Sequence, residues 1–289
     1  MPINADSVGA TSGPKEVSWT DRETMLYALG LGAGPEDLAF VTENSHDTPQ
    51  QVLPTFAVIV AAGFSVLPKI GKPNWGRMLH GAQEVRIHKP LPAAGRLAVT
   101  AEIGELQDKG EGRNAICSLV GRGVDPDSGE LVVETVTTLV FRGEGGFGGA
   151  PGVMAEPVVI PDRDPDARHS QETDTRLPLI YRLSGDRNPL HSDPWFAQEK
   201  AGFPGPILHG LCTYGIAGRA LVSDFAGGDP DRIGSIAARF TSPAFPGDIL
   251  STMIWRLEDG TAVFRTEAAA PDGSEPRVVL DGGYATLRG

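Results

Sequence analysis

The chain has 289 residues, of which 40% are hydrophobic and 21% are charged, as in an ordinary globular protein. This length allows two domains of usual size. The formal net charge of −12 argues against a nucleic-acid-binding protein, because contact with phosphates needs a basic face. An anionic ligand bound by a few local Arg and Lys side chains is compatible with this charge.

Three stretches bear on targeting and membranes. Residues Met1 to Trp19 are polar and lack the apolar core of a signal peptide. The most apolar stretch, Val52 to Leu67, is broken by Pro54 and is shorter than the roughly 20 residues that span a membrane. The last residues, 286–289, do not form a peroxisomal targeting tripeptide. We therefore expect a cytoplasmic protein without membrane contact, and a buried helix in the apolar stretch.

The cysteines and histidines do not show the spacing of a metal site. Cys117 and Cys212 lie far apart, which is typical of buried, inert thiols in a reducing compartment. His46, His88 and His169 fit surface or loop positions, and no pair of histidines has metal spacing with a third carboxylate ligand. We expect neither a metal ion nor a disulfide.

One order of elements occurs twice along the chain. Each half has an apolar helical stretch, an alternating strand, a proline-containing turn and three further strands. In the first half the helix is predicted over 53–67 and the strands over 83–89, 97–106, 114–122 and 131–142. In the second half the helix is predicted over 207–225 and the strands over 235–240, 249–257, 261–269 and 278–287. A helix followed by consecutive antiparallel strands favours an α+β unit in which a curved sheet wraps the helix.

The repeats define two domains, 1–142 and 176–289, joined by a Gly- and Pro-rich crossover linker over 143–175. The linker contains a formal GxGxxG at 143–148, but no strand–helix unit surrounds it, so we expect a loop. Gly215 and Gly218 in the second long helix are typical of close packing.

Tyr181 to His191 is the segment richest in chemistry. Asp186, Asn188 and His191 lie within six residues, after a sharp turn that Gly185 permits. A neighbouring carboxylate and imidazole can share and activate a water molecule. The same residues also form ordinary Asx turns, and their chemistry alone leaves both interpretations open.

A short helix should follow this segment. Asp193 is in place as its N-cap and Pro194 as its first residue, and the helix should run to about Lys200.

The run YRLSGDRNPLH from Tyr181 to His191, with Asp193-Pro194 after it, resembles the signature of the MaoC-like, hydratase 2 family. This family comprises (R)-specific enoyl-CoA hydratases and 3-hydroxyacyl-thioester dehydratases. The resemblance also covers 79–81, 108–110, 206–213 and 238–240, and so spans nearly the whole chain. It is similar to the two-repeat form of the family, and it implies a double hotdog fold, in agreement with the repeat.

The resemblance implies a mechanism and its catalytic residues. Asp186 and His191 would activate a water that adds to the double bond of a trans-2-enoyl thioester, and Asn188 would orient the water or the dyad. The backbone N–H of Gly210 would bind the thioester carbonyl, where negative charge develops. No cofactor is implied, and a homodimer is expected. Because the first repeat lacks the Asp-x-Asn-Pro-x-His loop, we expect one site per chain, with the first repeat as its wall.

Further residues are implied in substrate binding, and they are His80, Gly81, Lys109, Arg187, Pro189, Leu190 and Phe240. A core or capping role for His80, and a solvated hairpin charge for Lys109, remain open. Arg187 would bind CoA phosphates or face solvent.

Other functions compete with hydration. A thioesterase shares the hotdog fold, but such enzymes place a carboxylate on the helix without this loop. A non-catalytic acyl-thioester-binding subunit would have lost Asp186 or His191, and both are present. The substrate is expected to be an acyl-CoA. A substrate on an acyl carrier protein is a further alternative, against which the acidic surface argues weakly.

Overall fold

The computed structural model describes residues 3–153 and 156–288, so Met1, Pro2, Met154, Ala155 and Gly289 lie outside it, including two positions of the predicted linker. Ten strands form one antiparallel sheet in the order β1-β3-β4-β5-β2-β7-β10-β9-β8-β6. The strands are β1 Thr11–Trp19, β2 Met78–Ile87, β3 Gly95–Asp108, β4 Ala115–Val124, β5 Leu131–Phe141, β6 Ala167–Glu172, β7 Ile233–Phe240, β8 Ile249–Arg256, β9 Ala262–Ala269 and β10 Arg277–Leu287.

The helices are short except two. They are α1 Asp21–Gly30, α2 Leu38–Val41, α3 Ala57–Val60, α4 Leu177–Tyr181 and α5 Gly210–Asp224. Turns of 3₁₀ helix occupy Ala5–Ser7, Pro35–Asp37, Pro54–Phe56, Gly63–Ile70, Trp75–Arg77, Arg182–Ser184, Pro189–His191 and Pro230–Arg232. The α+β class and the eight strands predicted from the repeat are confirmed, with ends that shift by a few residues.

The two repeats meet at β2 and β7, which pair from Ala82↔Arg239 to Arg86↔Ser235. Each repeat thus continues the sheet of the other. The largest cluster of buried apolar residues also draws on both halves, from Phe56 in the first to Phe264 in the second. Both cysteines are buried and unbridged.

The predicted helix over 53–67 is wrong as one element. It is split into the 3₁₀ turn Pro54–Phe56, the four-residue α3 and the 3₁₀ turn Gly63–Ile70. Pro54 begins the segment and does not interrupt it. The break falls at Ala61, whose carbonyl accepts a hydrogen bond from Thr135 Oγ1 at 2.7 Å and lies 1.9 Å from where a Cβ on Gly121 would be. This close approach to the sheet bends the chain out of helical geometry.

The second predicted helix is confirmed as α5, although it begins at Gly210, later than predicted. A Cβ on Gly215 would lie 2.6 Å from Leu31 Cδ2, and one on Gly218 would lie 2.6 Å from Thr55 Cγ2. Both glycines therefore serve close packing, as predicted.

The sequence interpretation did not include β1, α1, α2 or β6. Strand β6 lies inside the predicted linker 143–175, where it pairs with β8, so this range is not a linker throughout. Its residues alternate between half-buried and exposed and, apart from Ala167, all are polar, so the strand lacks the hydrophobic alternation by which strands were predicted. The sequence did carry a signal for helix α1, because Thr20 and Glu23 have the spacing of a capping box. In the structure the Glu23 carboxylate accepts a hydrogen bond from Thr20 N–H at 2.8 Å.

The GxGxxG stretch is a loop, as predicted. The anion that its backbone N–H groups bind is a carboxylate of the chain itself. The Asp108 carboxylate accepts hydrogen bonds from the N–H groups of Gly146 at 2.7 Å, Gly148 at 2.8 Å and Gly149 at 3.3 Å. These bonds hold the pKa of Asp108 below its ordinary value. Within residues 3–153 and 156–288, no helix combines the length and hydropathy needed to cross a membrane.

Candidate active site

The loop that carries Asp186 is built from two successive Asx turns. Gly185 adopts φ +132°, which only glycine takes readily, and so turns the chain sharply after α4. Asn188 N–H then donates to Asp186 Oδ1 at 3.0 Å, and Leu190 N–H donates to Asn188 Oδ1 at 3.0 Å. The Asx-turn interpretation is therefore correct, and the turn is also what orients the Asp186 carboxylate. The Asn188 side-chain oxygen caps the following 3₁₀ turn.

His191 stands buried opposite this carboxylate with one ring nitrogen engaged. Its Nδ1 donates to the Ile207 carbonyl at 2.9 Å, which leaves Nε2 as a lone-pair acceptor in the neutral ring. Burial lowers the pKa of His191, opposed by the Ile207 carbonyl and the Asp186 charge. A neutral imidazole with a free acceptor has the properties of a general base.

His209, to which sequence reasoning gave no role, belongs to the same cluster. Its ring stacks on His191 with 3.8 Å between centroids and 26° between planes, and it lies 4.9 Å from the Tyr181 ring. Its Nε2 donates to the backbone carbonyl of Asp186 at 3.2 Å. Burial, reinforced by His191 beside it, lowers the pKa of His209 to about 4. Its place directly before Gly210 in the matched stretch 206–213 was the available signal.

Asp186, His191 and His209 place potential ligand atoms within 4.8 Å of one another, a cluster that the sequence spacing did not predict. The His191 and His209 rings are stacked with 26° between their planes, and His209 Nε2 is already bonded to Asp186 O. A water molecule can donate one hydrogen to Asp186 and one to His191 Nε2.

Gly210, Phe240 and His80 form a wall beside this cluster. The Phe240 ring covers Gly210, where a Cβ would lie 3.2 Å from its Cε1, and it lies 4.7 Å from the His80 ring. Burial lowers the pKa of His80 to about 4. Gly81 lies at the irregularity in the β2–β5 register between His80 and Ala82, and a Cβ there would meet Val140 at 2.9 Å.

The first turn of α5 is available to an acceptor. Gly210 N–H makes no hydrogen bond within residues 3–153 and 156–288, whereas the N–H groups of Cys212 and Thr213 both donate to His209 O. Unsatisfied N–H groups at a helix N-terminus favour a negatively charged oxygen.

The remaining predicted residues are placed less centrally. Pro189 and Leu190 form the 3₁₀ turn that leads to His191. Arg187 is exposed, and Lys109 Nζ donates to the Pro151 carbonyl at 2.6 Å. Neither makes a hydrogen bond or ion pair with Asp186 or His191 within the described part of the chain. The helix predicted after the loop is present, with Asp193 Oδ1 accepting from Trp195 N–H at 3.0 Å, but its Phe196–Lys200 part is a π-helix.

Comparison with known families covers both halves of the chain. Residues 17–143 match the MFE-2 hydratase 2 N-terminal domain, and residues 157–274 match the MaoC like domain. The chain is 62% identical over 283 residues to 3-hydroxyacyl-thioester dehydratase Y of Mycobacterium tuberculosis, with 98% of each chain covered. It is 37% identical over 307 residues to peroxisomal enoyl-CoA hydratase 2 of Arabidopsis thaliana, with 99% and 96% covered.

Solved structures with the same fold also match the chain. A MaoC-like dehydratase from Phytophthora capsici matches with a TM-score of 0.86 and 30% identity, covering 99% of this chain and 98% of that one. A Mycobacterium tuberculosis protein described as a double hotdog matches with a TM-score of 0.63 at 17% identity, which supports the fold alone. The ten-stranded α+β protein is thus a double hotdog, and the chain belongs to the MaoC-like, hydratase 2 family.

Proposed function

We propose that the protein catalyses the reversible hydration of a trans-2-enoyl-CoA to the (R)-3-hydroxyacyl-CoA. The observation that carries this proposal is the meeting of the Asp186 carboxylate with the neutral His191 imidazole, beside the unbonded N–H of Gly210. The family match and the relatives named enoyl-CoA hydratase and 3-hydroxyacyl-thioester dehydratase support it.

In this proposal Asp186 and His191 Nε2 hold one water molecule between them. The water oxygen forms a bond to C3 of the enoyl thioester while one of its protons passes to the dyad. The electron pair of the double bond moves toward the thioester carbonyl, and C2 then takes a proton from the dyad. Dehydration is the same path reversed. Proton transfer by positioned groups typically contributes about 10²–10⁴-fold to the rate.

The carbonyl oxygen gains negative charge during this step, and in this proposal Gly210 N–H donates to it. The N-terminus of the fifteen-residue α5 adds the helix dipole. Asn188 orients the Asp186 carboxylate through its backbone N–H. The Asn188 side-chain N–H₂ makes no hydrogen bond within residues 3–153 and 156–288 and would be available to the substrate.

The first repeat supplies the facing wall in this proposal. His80 on β2 lies against Phe240, and Gly81 follows it on the same strand, so the acyl thioester would pass between the repeats. Pro189 and Leu190 would line the same passage between the repeats. Lys109, in the turn after β3, and exposed Arg187 would bind the CoA phosphates as local cations on an acidic protein.

A chain-length panel tests this function. Purified protein is incubated with short, long and steroid-like trans-2-enoyl-CoA esters, while the enoyl absorbance and free thiol are followed. We expect the absorbance to fall without thiol release, and chiral analysis to show the (R) alcohol. Thiol release with unchanged enoyl absorbance would establish a thioesterase instead. Binding without either change would establish a non-catalytic subunit.

The family resemblance supports a homodimer acting in fatty-acyl metabolism of the β-oxidation type, and we propose a cytoplasmic location for it. Analytical ultracentrifugation measures the dimer. Parallel assays with acyl-CoA and the matching acyl carrier protein thioester identify the carrier.

A further inference from the structure

We propose that His209 is a positioning residue that fixes the Asp186 loop through a neutral imidazole donor. This inference rests on the proposed function and adds a residue to its machinery. Three properties of the molecule lead to it: how the loop is held, how His209 is immobilised, and which nitrogen carries its proton.

The Asp186 loop has few ties to the rest of the fold. Gly185, Asp186 and Asn188 are exposed, and a Cβ on Gly185 would meet no atom within 4 Å. The hydrogen bond from Asn188 N–H is internal to the loop. The bond from His209 Nε2 to Asp186 O, at 3.2 Å, joins the loop to the start of α5. His209 therefore fixes the main chain of Asp186, and the Asx turn to Asn188 then sets the carboxylate on that main chain.

The segment before α5 thus holds both halves of the dyad. Ile207 contributes its carbonyl to His191 Nδ1, and His209 contributes its ring N–H to Asp186 O, two residues further on. The two contacts set Asp186 and His191 in one frame. A catalytic pair whose members are anchored to one short segment keeps its separation when the surrounding loops move.

His209 is itself immobile. Its residue is 1% exposed, and its ring is packed between Tyr181 and His191. Its backbone carbonyl accepts from Cys212 N–H at 3.0 Å and Thr213 N–H at 3.1 Å, so the first turn of α5 locks its main chain. The donor that reaches Asp186 is therefore held from both ends.

The proton on His209 is also determined. Donation from Nε2 requires the Nε2–H tautomer, which leaves Nδ1 unprotonated, and Nδ1 is buried without a partner within the described residues. A second proton at Nδ1 would put a charge in a dry site against the stacked His191 ring. His209 stays neutral while the dyad works, and it does not exchange protons with the substrate.

Two variants separate the donor from the ring. His209→Phe keeps an aromatic ring and removes the N–H, whereas His209→Gln places an amide N–H near the Nε2 position and removes the ring. We expect His209→Phe to lower kcat by about ten- to a hundredfold, as for a misplaced catalytic group, with KM within about twofold. We expect His209→Gln to recover most of the lost kcat. His169→Phe, which removes a histidine that bonds Asp224 away from the site, is the matched control and should leave kcat unchanged.

The pH profile tests whether His209 transfers protons directly. In His209→Phe the acidic limb of kcat/KM should stay within about half a pH unit of the wild type, because His191 remains. Equal losses in both variants, an unchanged kcat in His209→Phe, or a lost acidic limb would each overturn the proposal. If His209→Phe fails to fold, His209→Asn replaces it, since its amide lies near Nδ1 and cannot reach Asp186 O. Wild-type hydration in the same assay shows whether the proposed function itself has failed.

Discussion

The Phe240 ring occupies the space that a side chain on Gly210 would need: a Cβ at Gly210 would lie 3.2 Å from Phe240 Cε1 and 3.3 Å from Cδ1. Glycine at this position keeps the first N–H groups of α5 open beneath an aromatic cover. The contact joins the proposed carbonyl-binding N–H to the wall of the proposed acyl pocket.

Gly210→Ala should therefore impair catalysis more than folding. The added methyl group must push Phe240 or the start of α5 by a few tenths of an ångström, which moves the N–H that would bind the carbonyl. We expect kcat to fall about tenfold or more, since a lost oxyanion donor costs up to about 4 kcal/mol. Gly205→Ala, a nearby glycine with open space, is the control and should retain activity. Steady-state kinetics and urea unfolding of both variants measure this, and equal activity of the two would contradict it.

Asp186→Asn should abolish hydration while the protein stays folded. Asparagine preserves the Asx turn to Asn188 N–H but removes the charge that would hold and deprotonate the water. His191→Ala should have the same effect, because it removes the acceptor nitrogen. Asp272→Asn is matched to the first change, since Asp272 Oδ1 accepts from Ser274 N–H at 2.9 Å in an equivalent turn. Enoyl absorbance and circular dichroism distinguish these outcomes, and substantial activity in Asp186→Asn would refute the dyad.

The protein should lose stability as the pH falls from about 6.5 toward 4. His80 and His209 have folded-state pKa values of about 4 against an ordinary value of 6.5. Below pH 6.5 the unfolded chain therefore binds more protons, so acidification favours unfolding. Each histidine contributes about 2 kcal/mol of this loss by pH 5.

Urea unfolding between pH 7.5 and 5 measures this slope. His80→Phe cannot take up the proton and should flatten the slope relative to wild type. The same change at His46, whose side chain is 95% exposed, should leave it unaltered. A steeper slope in His80→Phe would contradict the prediction.

Arg219→Met should destabilise the fold by about 3–5 kcal/mol, because it leaves a largely buried carboxylate uncompensated. The Arg219 guanidinium, 10% exposed, bonds Asp37 Oδ2 at 2.5 Å, Gln171 Oε1 at 2.8 Å and Leu31 O at 3.1 Å. It thus ties α5 to the first repeat. The double variant Arg219→Met with Asp37→Leu should recover much of the loss in chemical denaturation. Arg176→Met, which breaks an exposed pair, should cost less than about 1 kcal/mol.

Lys109→Ala should raise KM for enoyl-CoA without changing kcat. The side chain is proposed to meet the CoA phosphates far from the reacting carbons, so its loss weakens ground state and transition state equally. The matching enoyl-pantetheine ester, which lacks the nucleotide phosphates, should be turned over equally well by the variant and the wild type. A KM increase for both esters would assign Lys109 a structural role through Pro151.

The repeat could be recognised in the sequence because its strands alternate between apolar and polar residues, as expected for a sheet with one buried face. Strand β6 was not predicted, because an edge strand buries little apolar surface: its Arg168, Ser170 and Glu172 are exposed. The break at Ala61 was not predicted for another reason. It is imposed by Gly121 and Thr135 on the opposing strands, so the helix propensity of the residues around Ala61 does not indicate it.

The sequence predicted the loop that carries the candidate catalytic side chains, but not how residues from other parts of the chain meet that loop. Asp186, Asn188 and His191 lie within six residues, so any fold brings them together. His209 follows eighteen residues after His191, and its stacking on His191 depends on how α5 begins beneath the loop. His80 and Phe240 come from different repeats, and only the β2–β7 pairing places them side by side.

The β2–β7 seam makes the two halves inseparable. A catalytic half produced alone would expose the edge of β7 along five paired residues, and it would lack the facing wall of the site. The first half carries no Asp-x-Asn-Pro-x-His loop, and its part in the proposed site is the wall to which His80 belongs. A substitution in that wall would therefore change which acyl groups the proposed site accepts, while the proposed water-activating residues stay in the other half.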